Sequence, residues 1–196
     1  MSQQPRPTLR QRVAAAILDT AAEVLAAQGG QTSMSDVAAA AGVARATLYR
    51  YFPSRDALLD ELARVAAREA GEGLAAAGLD HVSPGDGVVR AVRVLVGVGD
   101  YFVLLDRARG RAGPGEYERK VAAPLRTVIE RGQTAGELRT DVPAAWLAEA
   151  LVGLVVSVLR AAPQLGVEDR VAAIGALFLD GVRARDSSGI VSAPVG

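Results

Sequence analysis

Cysteine is absent from this 196-residue chain. That excludes disulfide bridges, thiolate metal sites and cysteine nucleophiles, and it fits a chain kept in the reducing cytoplasm. Histidine occurs once, at His81, beside an expected loop, where a solvated side chain is the expectation. With one imidazole and no thiol, Ser-His-Asp triads, Cys-His pairs and His-rich metal sites have almost no material. No enzymatic activity, cofactor or metal is expected. Aromatic residues are scarce: four Tyr, three Phe and one Trp. No stretch alternates polar with apolar residues in the manner of a half-buried strand. Charge of one sign is not in excess either, with 22 basic and 22 acidic residues. Overall charge therefore does not draw nucleic acid, and any such partner must be held by a local arrangement. Long hydrophobic runs are missing as well. The longest apolar stretch, "ALVGLVVSVL" at 150–159, is about half of the roughly 20 residues a membrane span needs. Glu149 and Arg160 flank it, so it reads as a buried helix, and no membrane is expected as a partner. The opening "MSQQPRPTLRQR" has no apolar core of signal-peptide type.

Alanine dominates instead, and apolar residues recur at helical spacing. The expected fold is all-α. The first helix covers about 9–28, with Val13, Ile17, Ala21 and Val24 on one face, and Gly29 and Gly30 end it. A short helix at 34–41 is capped by Ser33, with Asp36 three residues later where a negative charge suits the N-terminus. Gly42 breaks it. A second short helix spans about 45–52, Pro53 stops it, and Ser54 caps a long helix at 55–77. Further helices are expected at 84–107, 115–135, 144–161 and 167–184. The segment "RGRAGPGE" at 109–116 reads as a loop, and 186–196 as a flexible tail. Same-face carboxylates (Asp19 with Glu23, Asp56 with Asp60) read as solvated and paired with neighbours such as Arg12 or Arg64.

Residues 34–52 form a unit. Val37, Ala38 and Ala41 share a face, and Val43 and Leu48 can pack against them across the Gly42 turn. Arg45, Ala46, Thr47, Tyr49 and Arg50 then point largely outward. Two short helices, a glycine turn and a polar outer face are the pattern of a helix-turn-helix. Its second helix presents N-terminal residues to base edges in the major groove. Arg45 is suited to fork onto guanine, and the methyls of Ala46 and Thr47 to touch thymine. Tyr49 and Arg50 are placed for phosphate oxygens, which set register without reading sequence. Leu48 and Phe52 read as core.

The run "MSDVAAAAGVARATLYRYFPSRDALL" at 34–59 resembles the DNA-binding signature of the TetR family of transcriptional regulators. The resemblance covers residues 9 to about 62. It implies a three-helix DNA-binding domain at 1–54, a helical effector-binding and dimerisation domain at 55–185, and about nine helices in all. It implies DNA contacts at Ser35, Arg45, Ala46, Thr47, Tyr49 and Tyr51, with Arg55 as the phosphate clamp before the fourth helix. Two positions depart from the pattern. Ala44 stands where a capping serine is common, and Ala46 where glycine is frequent.

The remaining chain is expected to dimerise and to bind an effector. The helix at 144–161 is apolar on almost every side, and a helix of that kind must be covered all round. The last two helices are therefore expected to meet their symmetry mates, so that two reading helices grip a near-palindromic operator on double-stranded DNA. Candidate pocket residues for an unidentified small molecule are Tyr101, Phe102, Leu105, Leu125, Arg126, Ile129 and Trp146. The expected function is that of a repressor released from its operator by that molecule. The alternative is a helical ligand-binding or protein-interaction module of the same fold without specific DNA binding.

Overall fold

A computed structural model describes residues 8–28, 32–107, 115–161 and 164–184, with only the backbone described for 28 and 105–107. The expectations for Gly29 and Gly30, for most of the 109–116 loop, for the Leu105 side chain and for the 186–196 tail lie outside the described residues. The described chain is helical, in the order α1 (Leu9–Gln28), α2 (Met34–Ala40), α3 (Arg45–Tyr51), α4 (Arg55–Ala76), α5 (Pro84–Val98), α6 (Asp100–Arg107), α7 (Ala123–Thr134), α8 (Ala144–Ala161) and α9 (Val167–Val182). A single 3₁₀ turn, Leu79–His81, joins α4 to α5. The extended pairing among the described residues is one isolated antiparallel bridge, Leu138 with Arg183, which ties the end of α9 to the α7–α8 connection.

Two differences from the sequence expectation have local causes. The single helix expected at 84–107 is two helices. Gly99 adopts φ 60° and ψ −129°, a conformation closed to residues with a Cβ, and α6 restarts at Asp100. The helix expected at 115–135 contains a π turn, Glu118–Ala122, directly before α7. Pro124 explains it. Proline offers no N–H to the preceding turn and its ring crowds the carbonyl four residues back. The wider turn relieves that crowding, and the Ala123 N–H bonds Glu118 O, five residues away.

The buried side chains form two cores. The N-terminal core joins Ile17, Ala21 and Leu25 of α1, Val37 of α2, Leu48 and Phe52 around α3, and Leu58 and Leu62 of α4. The larger C-terminal core joins α4, α5, α7, α8 and α9, through residues such as Ala67, Leu95, Leu125, Val155 and Ile174. Two helices enter both. On α4, Leu58, Leu62 and Val65 face the first core, while Ala63, Ala66, Ala67 and Ala70 face the second. On α6, Leu104 belongs to the first core and Phe102 and Val103 to the second. Successive residues of these helices thus bind the two halves together.

Candidate nucleic-acid interface

The site begins with a cap. Ser33 and Asp36 close a capping box at the start of α2. The Ser33 N–H donates to Asp36 Oδ2 at 2.8 Å, and the Asp36 N–H donates to Ser33 Oγ at 3.2 Å. The Ser33 hydroxyl also donates to Asp36 Oδ2. That bond, then the one from the Ser33 backbone, holds the Asp36 carboxyl below its usual range. At the other end of α2 the chain reverses tightly. The Val43 N–H reaches Ala38 O at 3.0 Å and the Gly42 N–H reaches Ala39 O at 3.1 Å. This Schellman pattern needs a left-handed residue between the two helices, and Gly42 supplies φ 65°.

The helix that follows, α3, has seven residues. A helix so short is unstable alone in water, so tertiary packing must hold it. Leu48 is fully buried and Phe52 is 6% exposed. Full burial of one such side chain contributes about 1.5–3 kcal/mol. Ala44 occupies the N-cap with no side chain to accept from the first turn. With Leu48 and Phe52 turned inward, Arg45, Ala46, Tyr49 and Arg50 are exposed, and Thr47 and Tyr51 are half-buried. The Arg45 guanidinium lies 5.9 Å from the Tyr49 ring centre. Ser35 is half-buried in the first turn of α2. Arg55 opens α4, also half-buried, and its Nε donates to Thr32 O at 3.2 Å. Part of that guanidinium is therefore used to fasten the segment before α2.

One neighbour was not visible in the sequence. Arg10 of α1 lies over the ring of Tyr51 at 5.9 Å, and Arg50 lies 5.5 Å from the same ring centre. Forty residues separate Arg10 from Arg50, so only the fold brings them together. Charge follows the same geography. Residues 1–55 hold six arginines and three carboxylates, although the whole chain is neutral.

The candidate effector residues are dispersed. Phe102, Leu125 and Ile129 are fully buried together in the C-terminal core. Tyr101 is half-buried between the two cores, and its hydroxyl donates to Asp19 Oδ1 at 2.7 Å. Arg126 pairs with Glu118 at 2.8 Å and lies 3.7 Å from Glu130, on the outside of α7. Trp146 is 70% exposed, on the solvent face of α8 with Ala150 and Gly153. None of these lines either of two clefts among the described residues. One cleft, of about 710 Å³, lies where α1, α6 and α8 meet, lined by Glu23, Asp100, Ser157 and Arg160 among others. Burial, and then the charge of Glu23, push the Asp100 carboxyl up there, against the opposing pull of Arg170. The other, of about 400 Å³, lies between the end of α4 and α7, beside Leu79, Thr127 and Arg131. Asp19 and Arg64 also have other partners than expected: Asp19 accepts from Tyr101, and Arg64 pairs with Glu61.

A capped helix, a left-handed glycine turn, and a second helix held by its inner face with its basic face in solvent define a helix-turn-helix DNA-binding module. Joined through α4 and α6 to a larger helical body, it defines the class of helical transcription regulators. Residues 17–62 carry the DNA-binding part of the tetR family of bacterial regulatory proteins. The family's DNA-binding model, described as bacterial regulatory proteins of the tetR family, matches residues 17–62. The family's members are transcriptional regulators rather than enzymes.

Similarity to individual relatives agrees. The transcriptional repressor LfrR of Mycolicibacterium smegmatis is 51% identical over 55 residues, which are 28% of this chain and 29% of that relative. The sequence match thus spans under a third of LfrR. The solved structure of LfrR in complex with proflavine superposes with a TM-score of 0.68 at 26% identity, over 89% of this chain and 98% of that one. A tetR-family regulatory protein from Rhodococcus RHA1 gives a TM-score of 0.69 at 21% identity, over 89% and 99% of the two chains. AibR, solved with isovaleryl coenzyme A and operator DNA, gives 0.67 at 18% identity over 84% and 97%, a likeness of fold.

Proposed function

We propose that the protein is a homodimeric transcriptional repressor, released from a near-palindromic operator by a small molecule. The observation that carries this reading is α3, whose inner residues Leu48 and Phe52 are buried while Arg45, Ala46, Tyr49 and Arg50 stand in solvent. On this reading residues 1–54 bind DNA. Arg45, Ala46 and Thr47 meet base edges, and Ser35, Tyr49, Arg50, Tyr51 and Arg55 hold phosphates. Residues 55–185 bind the effector and dimerise. The protein acts in the cytoplasm, where its DNA is.

The outer face of α8 supports the dimer. Trp146, Ala150, Gly153 and Ser157 are exposed along it, and Leu177 of α9, a helix packed against α8, is 64% exposed. A Cβ at Gly153 would meet nothing within 4 Å. Glycine inside a helix costs about 1 kcal/mol relative to alanine, and nothing among the described residues calls for it at this position. Close approach by the same helix of a second copy does.

Release is a population shift. The two reading helices fit successive major grooves when about one turn, roughly 34–36 Å, apart. An effector that prefers another spacing removes the dimer from DNA by its differential affinity for the two states, typically about 1–3 kcal/mol. The levers are α4 and α6, which enter both cores. Tyr101, Phe102, Leu125 and Ile129, which belong to or flank the C-terminal core, remain the wall residues of choice. The proflavine held by LfrR offers a planar aromatic cation as the first ligand class to try.

The test is binding of the full chain to DNA upstream of its own and neighbouring genes across a salt series. Specific binding that weakens steeply with salt is expected. Binding that is absent, or equal on all sequences, would leave the fold as a ligand-binding module.

A further inference from the structure

The arginine stack at Tyr51 extends beyond the helix-turn-helix, onto α1. Arg10 is exposed, and among the described residues it has no carboxylate within salt-bridge distance; the same holds for Arg50. Other exposed arginines do pair, Arg93 with Glu168 and Arg64 with Glu61 among them. The Tyr51 ring between Arg10 and Arg50 is no loose surface group, since it is half-buried and packs on the N-terminal core. Two guanidinium groups are thus held around one anchored ring with no counter-charge from the described chain. Like charges so placed repel each other in the free protein, and an anion that reaches both relieves the repulsion.

The start of α1 points the same way. Thr8 and Gln11 pin it: the Thr8 N–H donates to Gln11 Oε1 at 2.7 Å, and the Gln11 N–H donates to Thr8 Oγ1 at 3.3 Å. Its first turn has no acidic residue. Arg10 and Arg12 stand there instead, although the helix dipole favours negative charge at that end. The local charge pattern works against the helix and favours an incoming anion. Guanidinium suits the task. It is weakly hydrated, stacks on aromatic faces, and keeps a planar fork of donors matched to phosphate oxygens. Stacking on Tyr51 also restricts the side chain before any phosphate arrives, which lowers the ordering cost of the contact.

We propose that Arg10 is a DNA-phosphate contact, and that Tyr51 is the platform on which Arg10 and Arg50 form a two-arginine clamp on the duplex backbone. The clamp carries no base readout. It adds a sequence-independent contact from α1 to those of α3 and α4. The inference rests on the DNA-binding reading above, but it can fail without it.

The test uses the full chain and a fluorescein-labelled 30-base-pair duplex of arbitrary sequence, so no operator need be known. Anisotropy titrations across a sodium chloride series give the slope of log affinity against log salt. Arg10→Ala should reduce that slope by about 0.9 for each bound subunit, the value for one lost phosphate contact. Arg10→Lys, which keeps the charge, should restore the slope. Arg160→Ala, removing an exposed arginine at the end of α8, should leave it unchanged. Melting curves should show that Arg10→Ala is folded, as alanine favours a helix. An unchanged slope for Arg10→Ala, or an equal reduction for Arg160→Ala, overturns the clamp while leaving DNA binding intact. Absence of salt-dependent binding by the wild type overturns both.

Discussion

The Tyr101 hydroxyl donates to Asp19 Oδ1 at 2.7 Å, tying α6 of the larger body to α1 of the reading head. Tyr101 packs against both cores, and the next turn of α6 sends Leu104 into the N-terminal one. Any tilt of α6 is therefore felt by α1. Burial first, then the bond to Asp19 and its charge, with Glu69 and Glu23 behind, hold the phenol above its usual value of 10.0. Folding thus favours the protonated phenol. Its contribution is fully present below the ordinary value and is lost as pH rises beyond it, because the unfolded chain releases the proton first. Urea titrations should show stability falling above about pH 10, less steeply in Tyr101→Phe. At neutral pH that variant should lose about 1 kcal/mol. Identical stabilities at both pH values would show the bond to be idle.

Arg45 and Arg55 should fail differently. Arg45→Ala should lose about 1–3 kcal/mol on the preferred sequence and little on random duplex. Arg55→Ala should weaken every sequence alike. It should also lower stability slightly, since its Nε fastens Thr32 O. Equal losses by both variants on all sequences would contradict the division between base and phosphate contacts.

A missing cap can be supplied. Ala44 occupies the N-cap of α3 without a side-chain acceptor. Ala44→Ser should stabilise the protein by about 1 kcal/mol, read as a higher urea midpoint with an unchanged slope. An unmoved midpoint would mean that the backbone there does not admit the cap.

Gly153 should answer for the dimer. Space around it is open among the described residues, so Gly153→Arg should still fold, with a melting temperature lowered only by the loss of dimerisation. Light scattering should nevertheless report half the wild-type mass. A dimeric variant, or a monomeric wild type, would remove α8 from the interface.

The reading head was legible because local chemistry marks every boundary. Ser33 with Asp36 opens α2, Gly42 closes it, and Pro53 and Ser54 separate α3 from α4. The break at Gly99 was harder to see, because the apolar periodicity of α5 runs on into α6 and suggests a bend rather than a stop. The π turn before Pro124 was hidden for the same reason: Val121, Leu125 and Val128 keep a helical rhythm through it. The exposure of Trp146 was not legible, because α8 is apolar on nearly all faces and such a helix gives no phase by which to tell inside from outside. Arg10 could not be read at all. Its place beside Tyr51 depends on how α1 crosses α3, which no local pattern encodes.

The decisive measurement is selection by the full-length protein from a pool of random duplexes, followed by sequencing. An outward-facing α3 in each half of a twofold dimer predicts enrichment of two inverted half-sites, centred about one DNA turn or a small multiple of it apart. A pool that emerges without enrichment, or with a motif lacking twofold symmetry, would contradict it.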